Sequence, residues 1–128
     1  MPLLHTYMIK DTMSAQVFTH SDGRKTEYLV SGAQDGFPLI FIHGTPGSYT
    51  VGPKLSATCE GKGIKLITLS RAGYGGSTRN KGRLVVDAVA DIQALLEHLG
   101  VKKCVVGGKS GGGEFLSCMP CQVRDEWY

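Results

Sequence analysis

Three short apolar segments, each followed at once by a polar or glycine-rich loop, constrain the fold more than any other feature of the sequence. They are LIFI at residues 39–42, KLITL at 65–69 and KCVV at 103–106. Short segments of this kind, rich in β-branched and aromatic side chains, are typical of strands covered on both faces. The sequence therefore predicts three buried strands whose ends lead directly into loops.

Residues 84–99 carry the strongest helix pattern in the chain. Apolar side chains recur there at steps of three and four, at Val85, Val89, Ile92, Leu96 and Leu99. Such spacing gives one apolar stripe, with Asp87, Asp91 and His98 expected on the opposite side. Gly100 stands just after the last turn, where a glycine commonly ends a helix.

Weaker signals precede this helix. Residues 49–62 favour a helix between the first two buried strands, and Gly52 and Pro53 favour a late start for it. Upstream, residues 15–19 and 26–31 are β-like segments separated by a turn with an Asp-Gly pair. This arrangement predicts an antiparallel hairpin.

The order of elements along the chain is hairpin, strand, helix, strand, helix, strand. Alternation of buried strands with helices is typical of a parallel sheet with right-handed crossovers. We therefore predict an α/β fold with a mostly parallel sheet, an N-terminal antiparallel hairpin and flanking helices. A chain of 128 residues forms one domain at most.

Composition and charge argue against several functional classes. The net charge is +3, and the scattered lysines and arginines do not predict nucleic acid as a partner. No apolar stretch reaches the length of a signal peptide or a membrane span, so no membrane partner is expected. The four cysteines suggest no disulfide framework, which favours a cytoplasmic location. Neither a metal site nor a cofactor is indicated.

A motif with chemical meaning follows the third predicted strand. Residues 108–112 fit G-x-S-x-G, in which a sharp turn from strand to helix exposes a serine and requires small neighbours. In a glycine-rich chain the pattern alone fits a plain glycine-rich loop equally well, but its place after a buried strand favours the serine turn. A phosphate-binding loop is the other alternative, and it would need glycine where Lys103 stands.

Two further loops make the comparison specific. Residues 43–48 (HGTPGS) follow the first buried strand, and residues 70–77 (SRAGYGGS) follow the second. Together with residues 108–112 they resemble the N-terminal portion of the α/β-hydrolase superfamily (AB hydrolase-1 type), whose second loop has Asp and Pro where Ser70 and Ala72 stand here. The likeness covers residues 16–113, which leaves 1–15 as an N-terminal extension and 114–128 as a divergent tail, truncated relative to the family.

The resemblance implies a role for each matching residue. Ser110 would be the nucleophile of a serine hydrolase acting through an acyl-enzyme on an ester, amide or similar carbonyl of a small-molecule substrate. The backbone N–H groups of Thr45 and Gly111 would form the oxyanion hole. The supporting positions are His43 and Gly44 in the oxyanion loop (residues 43–48), and Gly108 and Gly112 around the serine. Lys109 is expected to be an exposed side chain, with contact to an acidic substrate group as the alternative.

The family's base and its orienting acid have no counterpart by motif. In this superfamily the chain order is Ser, then Asp or Glu, then His, and all four histidines here precede Ser110. We therefore expect the 128 residues alone to be inactive, and the alternative is a non-catalytic homologue or interaction module. Cys118 and Cys121 form a C-x-x-C pair that closes a predicted helix, so a chance occurrence is favoured over a redox or zinc site.

The family's sheet has eight strands, and about five are predicted here. The last parallel strand would then be an open edge, from which we expect the isolated chain either to be marginally stable or to self-associate. The identity of the substrate is not indicated by any of these motifs.

Overall fold

The computed structural model describes residues 14–109. It contains five strands and two helices: β1 (Gln16–Thr19), β2 (Lys25–Gly32), β3 (Phe37–Ile42), α1 (Val51–Gly61), β4 (Ile64–Leu69), α2 (Val85–His98) and β5 (Val105–Gly108). The strands form one sheet in the order β1-β2-β4-β3-β5. β3 is parallel to both β4 and β5, while β2 is antiparallel to β1 and β4. The predicted α/β class and its hairpin are therefore confirmed.

The hairpin of β1 and β2 closes through a short polar turn. The N–H of His20 donates to the carbonyl of Arg24 at 2.8 Å, and that of Gly23 donates to the carbonyl of His20 at 2.9 Å. Gly23 has a φ of +88°, a left-handed conformation that glycine adopts without steric cost. The Asp-Gly turn signal thus acts as predicted.

β3 and β5 each differ from the prediction by two residues, whereas β1, β2 and β4 agree with it to within one residue at each end. β3 begins at Phe37 rather than Leu39, because the N–H of Phe37 already donates to the carbonyl of Gly63. β5 covers Val105–Gly108 rather than 103–106. Its two glycines remain in the ladder because backbone pairing with Phe41 and Ile42 of β3 continues through them. Glycine also suits close packing here, since a Cβ on Gly107 would lie 3.3 Å from the Phe41 ring.

The late start predicted for the first helix is wrong. α1 begins at Val51, so Gly52 and Pro53 lie in its first turn. Proline fits there because the first N–H groups of a helix have no intrahelical partner. Gly52 is buried against β4, where a Cβ would stand 2.5 Å from the hydroxyl oxygen of Thr68. Glycine at this position lets α1 approach the sheet closely.

The main core lies between the sheet and α2. Its members from the strands are Tyr28, Ile40, Ile42, Ile67, Leu69 and Val106, and those from α2 are Ala88, Val89, Ile92, Leu95 and Leu96. The predicted stripe is rotated at its start, because Val85 is exposed whereas Ala88 and Leu95 are buried. Gly100 has a φ of +70° and follows the helix as expected.

Asp91 was predicted on the solvent side of this helix, and that prediction is wrong. It is only 8% exposed and faces the hairpin. The guanidinium of Arg24 donates to both of its carboxylate oxygens, at 2.7 and 2.9 Å. Arg24 also donates to Asp22 within the turn, at 2.7 Å. A bidentate ion pair therefore joins the hairpin turn to the middle of α2. This pairing offsets the free-energy cost of burying the carboxylate.

The remaining predictions on organisation lie partly outside this region. Residues 1–13 and 110–128 are not among the described ones, so the boundaries expected after residues 15 and 113 stay predictions, and the Cys118 and Cys121 pair is not described. Within residues 14–109, no helix is both long enough and apolar enough to cross a membrane.

Replacing Asp91 by alanine tests the ion pair. We expect the Asp91→Ala variant to lose about 2–3 kcal/mol of unfolding free energy, because it removes two charge-assisted hydrogen bonds from a mostly buried guanidinium. Chemical denaturation followed by circular dichroism measures this. The matched control is Glu97→Ala on the exposed side of α2, where a change within about 0.5 kcal/mol is expected. Equal losses of unfolding free energy in both variants would contradict a stabilising role for the ion pair between Arg24 and Asp91.

Candidate active site

Three strand ends meet at one edge of the sheet. Because β3, β4 and β5 run parallel, their carboxyl ends lie together, with Ile42 level with both Leu69 and Gly108. The chain after β5 stays beside β3 for one further residue, since the N–H of Lys109 donates to the carbonyl of Ile42 at 3.2 Å. Polar segments that follow such strand ends are the usual place for ligand and catalytic groups in α/β sheets.

His43 is buried at the start of the oxyanion loop, and both of its ring nitrogens are occupied. A backbone N–H can only donate, so Nε2 accepts the bond from the N–H of Arg71 at 3.0 Å. A carbonyl can only accept, so Nδ1 carries the hydrogen and donates to the oxygen of Gly44 at 2.6 Å. Burial lowers the pKa of His43, the Gly44 bond opposes this, and the charge of Arg71 adds to the lowering. His43 is thus a neutral histidine that connects two loops.

Arg71 connects the same two loops through its side chain. Its Nη2 donates to the hydroxyl oxygen of Thr45 at 2.8 Å and to the carbonyl of Gly44 at 3.3 Å. The guanidinium carbon lies 4.9 Å from the centre of the Tyr74 ring, within the range of a cation–π contact. The Tyr74 ring in turn meets the His43 ring edge-on, with centroids 5.1 Å apart. Arg71 is 6% exposed, so its side chain is largely screened from water, whereas its partner Thr45 is exposed.

The glycine-rich loop after β4 is held by β2. The backbone N–H of Gly76 donates to the carboxylate of Glu27, and the hydroxyl of Ser77 donates to the carbonyl of Ser70 at 2.6 Å. Ser70 is fully buried, and its hydroxyl oxygen accepts the N–H of Tyr49 at 3.0 Å. Gly75 must be glycine, because its φ is +52° and a Cβ would lie 2.7 Å from that hydroxyl oxygen.

The structure brings together only some of the predicted site residues. His43, Gly44 and Thr45 lie directly after β3, and Gly108 ends the neighbouring β5. Lys109 is exposed, as expected. Ser110, Gly111 and Gly112 lie outside the described residues, so their roles stay predictions. Among residues 14–109, no group of three or more His, Cys, Asp or Glu side chains is placed to hold a metal ion.

Sequence reasoning overlooked three residues of this edge. Arg71 and Tyr74 were noticed only as parts of a loop motif, and Glu27 not at all. The alternation of β2 was a usable signal for Glu27, since Thr26 and Tyr28 on either side of it are both buried. Nothing in the sequence, however, indicated that its carboxylate would reach the loop after β4, 49 residues away.

Comparison with known proteins identifies the family. The family model described as "alpha/beta hydrolase fold" matches residues 38–126. The chain is 34% identical over 98 residues to a non-heme chloroperoxidase of Streptomyces lividans, covering 75% of this chain and 36% of that protein. It is 31% identical over 117 residues to a proline iminopeptidase of Arabidopsis thaliana, covering 84% of this chain and 30% of that protein.

A solved structure agrees with these sequence matches. The chain superposes on a carboxylesterase of the thaumarchaeon Nitrososphaera gargenis with a TM-score of 0.72 and 26% identity, covering 80% of this chain and 39% of that one. The protein therefore belongs to the alpha/beta hydrolase fold family, as its three loops suggested. The chain spans about a third of the length of the two relatives named above.

The neutral state of His43 predicts a dependence of stability on pH. Its pKa in the folded chain lies below the usual value of about 6.5, so the unfolded chain binds more protons as the pH falls. The contribution of His43 to the free energy of unfolding therefore has its full value above about pH 6.5. It declines as the pH falls from there to the lowered pKa of the folded chain. Denaturation at a series of pH values measures the slope, and His43→Gln should flatten it.

A direct titration of His43 by NMR provides the control. Its ring signals should stay in the neutral form below the pH at which an exposed histidine titrates. An equally steep decline in the His43→Gln variant, or titration of His43 at its ordinary value, would contradict the assignment.

Proposed function

We propose that the protein is a serine hydrolase that cleaves an ester, amide or similar carbonyl compound through an acyl-enzyme. Ser110 is the nucleophile, and the backbone N–H groups of Thr45 and Gly111 form the oxyanion hole. His43 and Gly44 support the oxyanion loop, while Gly108 and Gly112 provide the space that the turn around Ser110 needs.

One contact carries this proposal. The N–H of Lys109, the residue immediately before Ser110, donates to the carbonyl of Ile42, the residue immediately before His43. The chain therefore enters the G-x-S-x-G turn at hydrogen-bonding distance from the start of the oxyanion loop. Nucleophile and oxyanion donors must flank the same carbonyl group, and this contact supports that arrangement from the described residues alone.

The proposed chemistry divides between the two loops. The hydroxyl oxygen of Ser110 attacks the carbonyl carbon, and its proton passes to a base. The carbonyl oxygen gains negative charge, which the two backbone donors stabilise, each typically by about 3–4 kcal/mol. Collapse of the tetrahedral intermediate breaks the bond to the leaving group, which takes the proton from the base and departs as the alcohol or amine, and the acyl group stays on Ser110. Water then attacks the acyl carbon while the base accepts its proton, and release of the acid regenerates the Ser110 hydroxyl.

His43 does not supply the base in this scheme. Its Nε2 already accepts a backbone N–H and its Nδ1 already donates to a carbonyl, so it has no free lone pair for the serine proton. His20 is likewise engaged, with its Nε2 2.6 Å from the hydroxyl of Thr26. We propose that the base comes from the family's later histidine, which the 128 residues do not contain.

The same observation favours a second candidate function. A chain in which both His43 and His20 are held by hydrogen bonds within the fold fits a non-catalytic homologue or an interaction module. The two candidates differ in one measurable property, which is whether Ser110 of the natural gene product becomes covalently modified during turnover.

Labelling with a fluorophosphonate probe tests the nucleophile. We expect the product of the complete reading frame to be labelled at Ser110, because the probe reacts with activated serines, and to lose labelling in Ser110→Ala. Mass spectrometry of the labelled peptide gives the site. Ser117→Ala is the matched control and should retain labelling.

The purified 128 residues provide the complementary measurement. They should not hydrolyse a p-nitrophenyl ester above the rate of Ser110→Ala. Turnover that Ser110→Ala abolishes would refute the non-catalytic candidate, whereas an unlabelled Ser110 in the complete product would refute the serine assignment.

We also propose that the chain self-associates through the outer edge of β5. Within residues 14–109, β5 pairs with β3 on one side, and its other edge presents backbone groups that a further strand could pair with. A cytoplasmic location is a further proposal, supported by Cys59, which is a buried free thiol.

Sedimentation over a range of protein concentrations tests the association. The mean mass should rise with concentration, and Val105→Lys should reduce the rise because a lysine beside an edge discourages strand pairing. Val17→Lys, on β1 at the opposite edge, serves as control and should behave as the unsubstituted chain. A monomer that melts cooperatively at high concentration would contradict the proposal.

A further inference from the structure

We propose that Arg71 is the positioning residue of the oxyanion loop, fixing the backbone of Gly44 and Thr45 before any substrate arrives. The inference rests on the proposed function, since the orientation of the Thr45 N–H matters for chemistry only if that group stabilises an oxyanion. Arg71 is neither the proposed nucleophile, nor a proposed oxyanion donor, nor one of the supporting glycines.

The side chain of Arg71 is itself held in place. Its guanidinium lies over the Tyr74 ring at 4.9 Å, and it is almost fully buried. Its backbone is fixed independently, because its N–H donates to His43 and its carbonyl accepts the N–H of Tyr74 at 2.9 Å. A residue anchored at backbone and side chain can act as a rigid support for a neighbouring loop.

Arg71 contacts the two residues that define the orientation of the proposed donor. The peptide group that carries the Thr45 N–H also contains the carbonyl of Gly44, and Nη2 donates to that carbonyl. The same nitrogen donates to the Thr45 hydroxyl at 2.8 Å, a distance typical of a charge-assisted hydrogen bond. Nη2 of Arg71 thus holds both the Gly44–Thr45 peptide group, through its carbonyl oxygen, and the side chain of Thr45, through its hydroxyl oxygen.

His43 completes the arrangement from the interior. Its Nδ1–H also donates to the Gly44 carbonyl, so that oxygen accepts two hydrogen bonds and its direction is doubly determined. Gly47 leaves room for this, because a Cβ there would lie 2.7 Å from Nδ1. Preorganised donors are the main source of oxyanion stabilisation, since they need no reorientation during the reaction.

The alternative is that Arg71 only fills space between the loops. In that case a side chain of similar bulk without charge or donors would serve equally well, and the order of the Thr45 N–H would not depend on the donors at position 71. The two roles therefore predict a different order of the Thr45 N–H in a variant that lacks those donors.

The order of the Thr45 N–H in the 128-residue chain is the quantity to measure. We expect the ¹⁵N order parameter of Thr45 to be near ~0.85 in the unsubstituted chain and to fall below ~0.6 in Arg71→Met, values that separate rigid from flexible backbone. Arg71→Lys, which keeps a charged donor, should recover part of the loss. Arg79→Met is the matched control, because Arg79 is an exposed arginine of the same loop.

A second pair of variants changes Thr45, the acceptor of the hydrogen bond from Arg71. Thr45 is exposed, so Thr45→Val removes the acceptor without disturbing the core, and Thr45→Ser keeps it. Thr45→Val should lower the order of residue 45, and Thr45→Ser should not. If Arg71→Met fails to fold, this pair alone decides the question.

Titration of His43 reports whether a cation at position 71 lies beside it, as the contacts of Arg71 require. Its pKa should rise in Arg71→Met and return toward the original value in Arg71→Lys, with no change in Arg79→Met. Unchanged order in both Arg71→Met and Thr45→Val, or a His43 pKa indifferent to the charge at position 71, would overturn the proposal. Ser110→Ala should leave the order of Thr45 unaffected, so failure of serine labelling and failure of loop positioning are distinguishable results.

Discussion

The parallel pairing of β3 with β4 on one side and β5 on the other is the constraint from which the candidate site follows. A central strand with two parallel neighbours brings three successive strand ends to the same edge and the same height. The loops need no long reach of their own, because the ladder has already aligned their first residues. The hydrogen bond from Lys109 to Ile42 extends that alignment one residue beyond the sheet.

Much of this arrangement could be predicted from local sequence. The buried segments around Ile40, Ile67 and Val106, the apolar period of α2 and the Asp-Gly turn each report on their own backbone within a few residues. The errors have a common origin, which is information carried by a distant partner. Glycine suits position 52 in the first turn of α1 because Thr68 of β4 leaves no room there for a side chain, and Asp91 turns inward because Arg24 meets it.

The same distinction applies to the candidate site. Family motifs predict an oxyanion loop and a serine turn, because those motifs are contiguous in sequence. The support for the loop is not contiguous, since it joins Arg71 to Thr45 across 26 positions and depends on the ring of Tyr74. The occupied nitrogens of His43 could be established only when both of its partners were known.

Glu27 has a consequence for how this protein can be altered by recombination. The carboxylate that receives the Gly76 N–H belongs to β2, in the antiparallel hairpin, whereas the loop it holds belongs to the parallel part of the sheet. A chimera that exchanges the hairpin with that of a homologue would therefore also exchange an anchor of the loop that carries Arg71. Compatible crossover points lie before β1 or after Ser77, where hairpin and loop are inherited together.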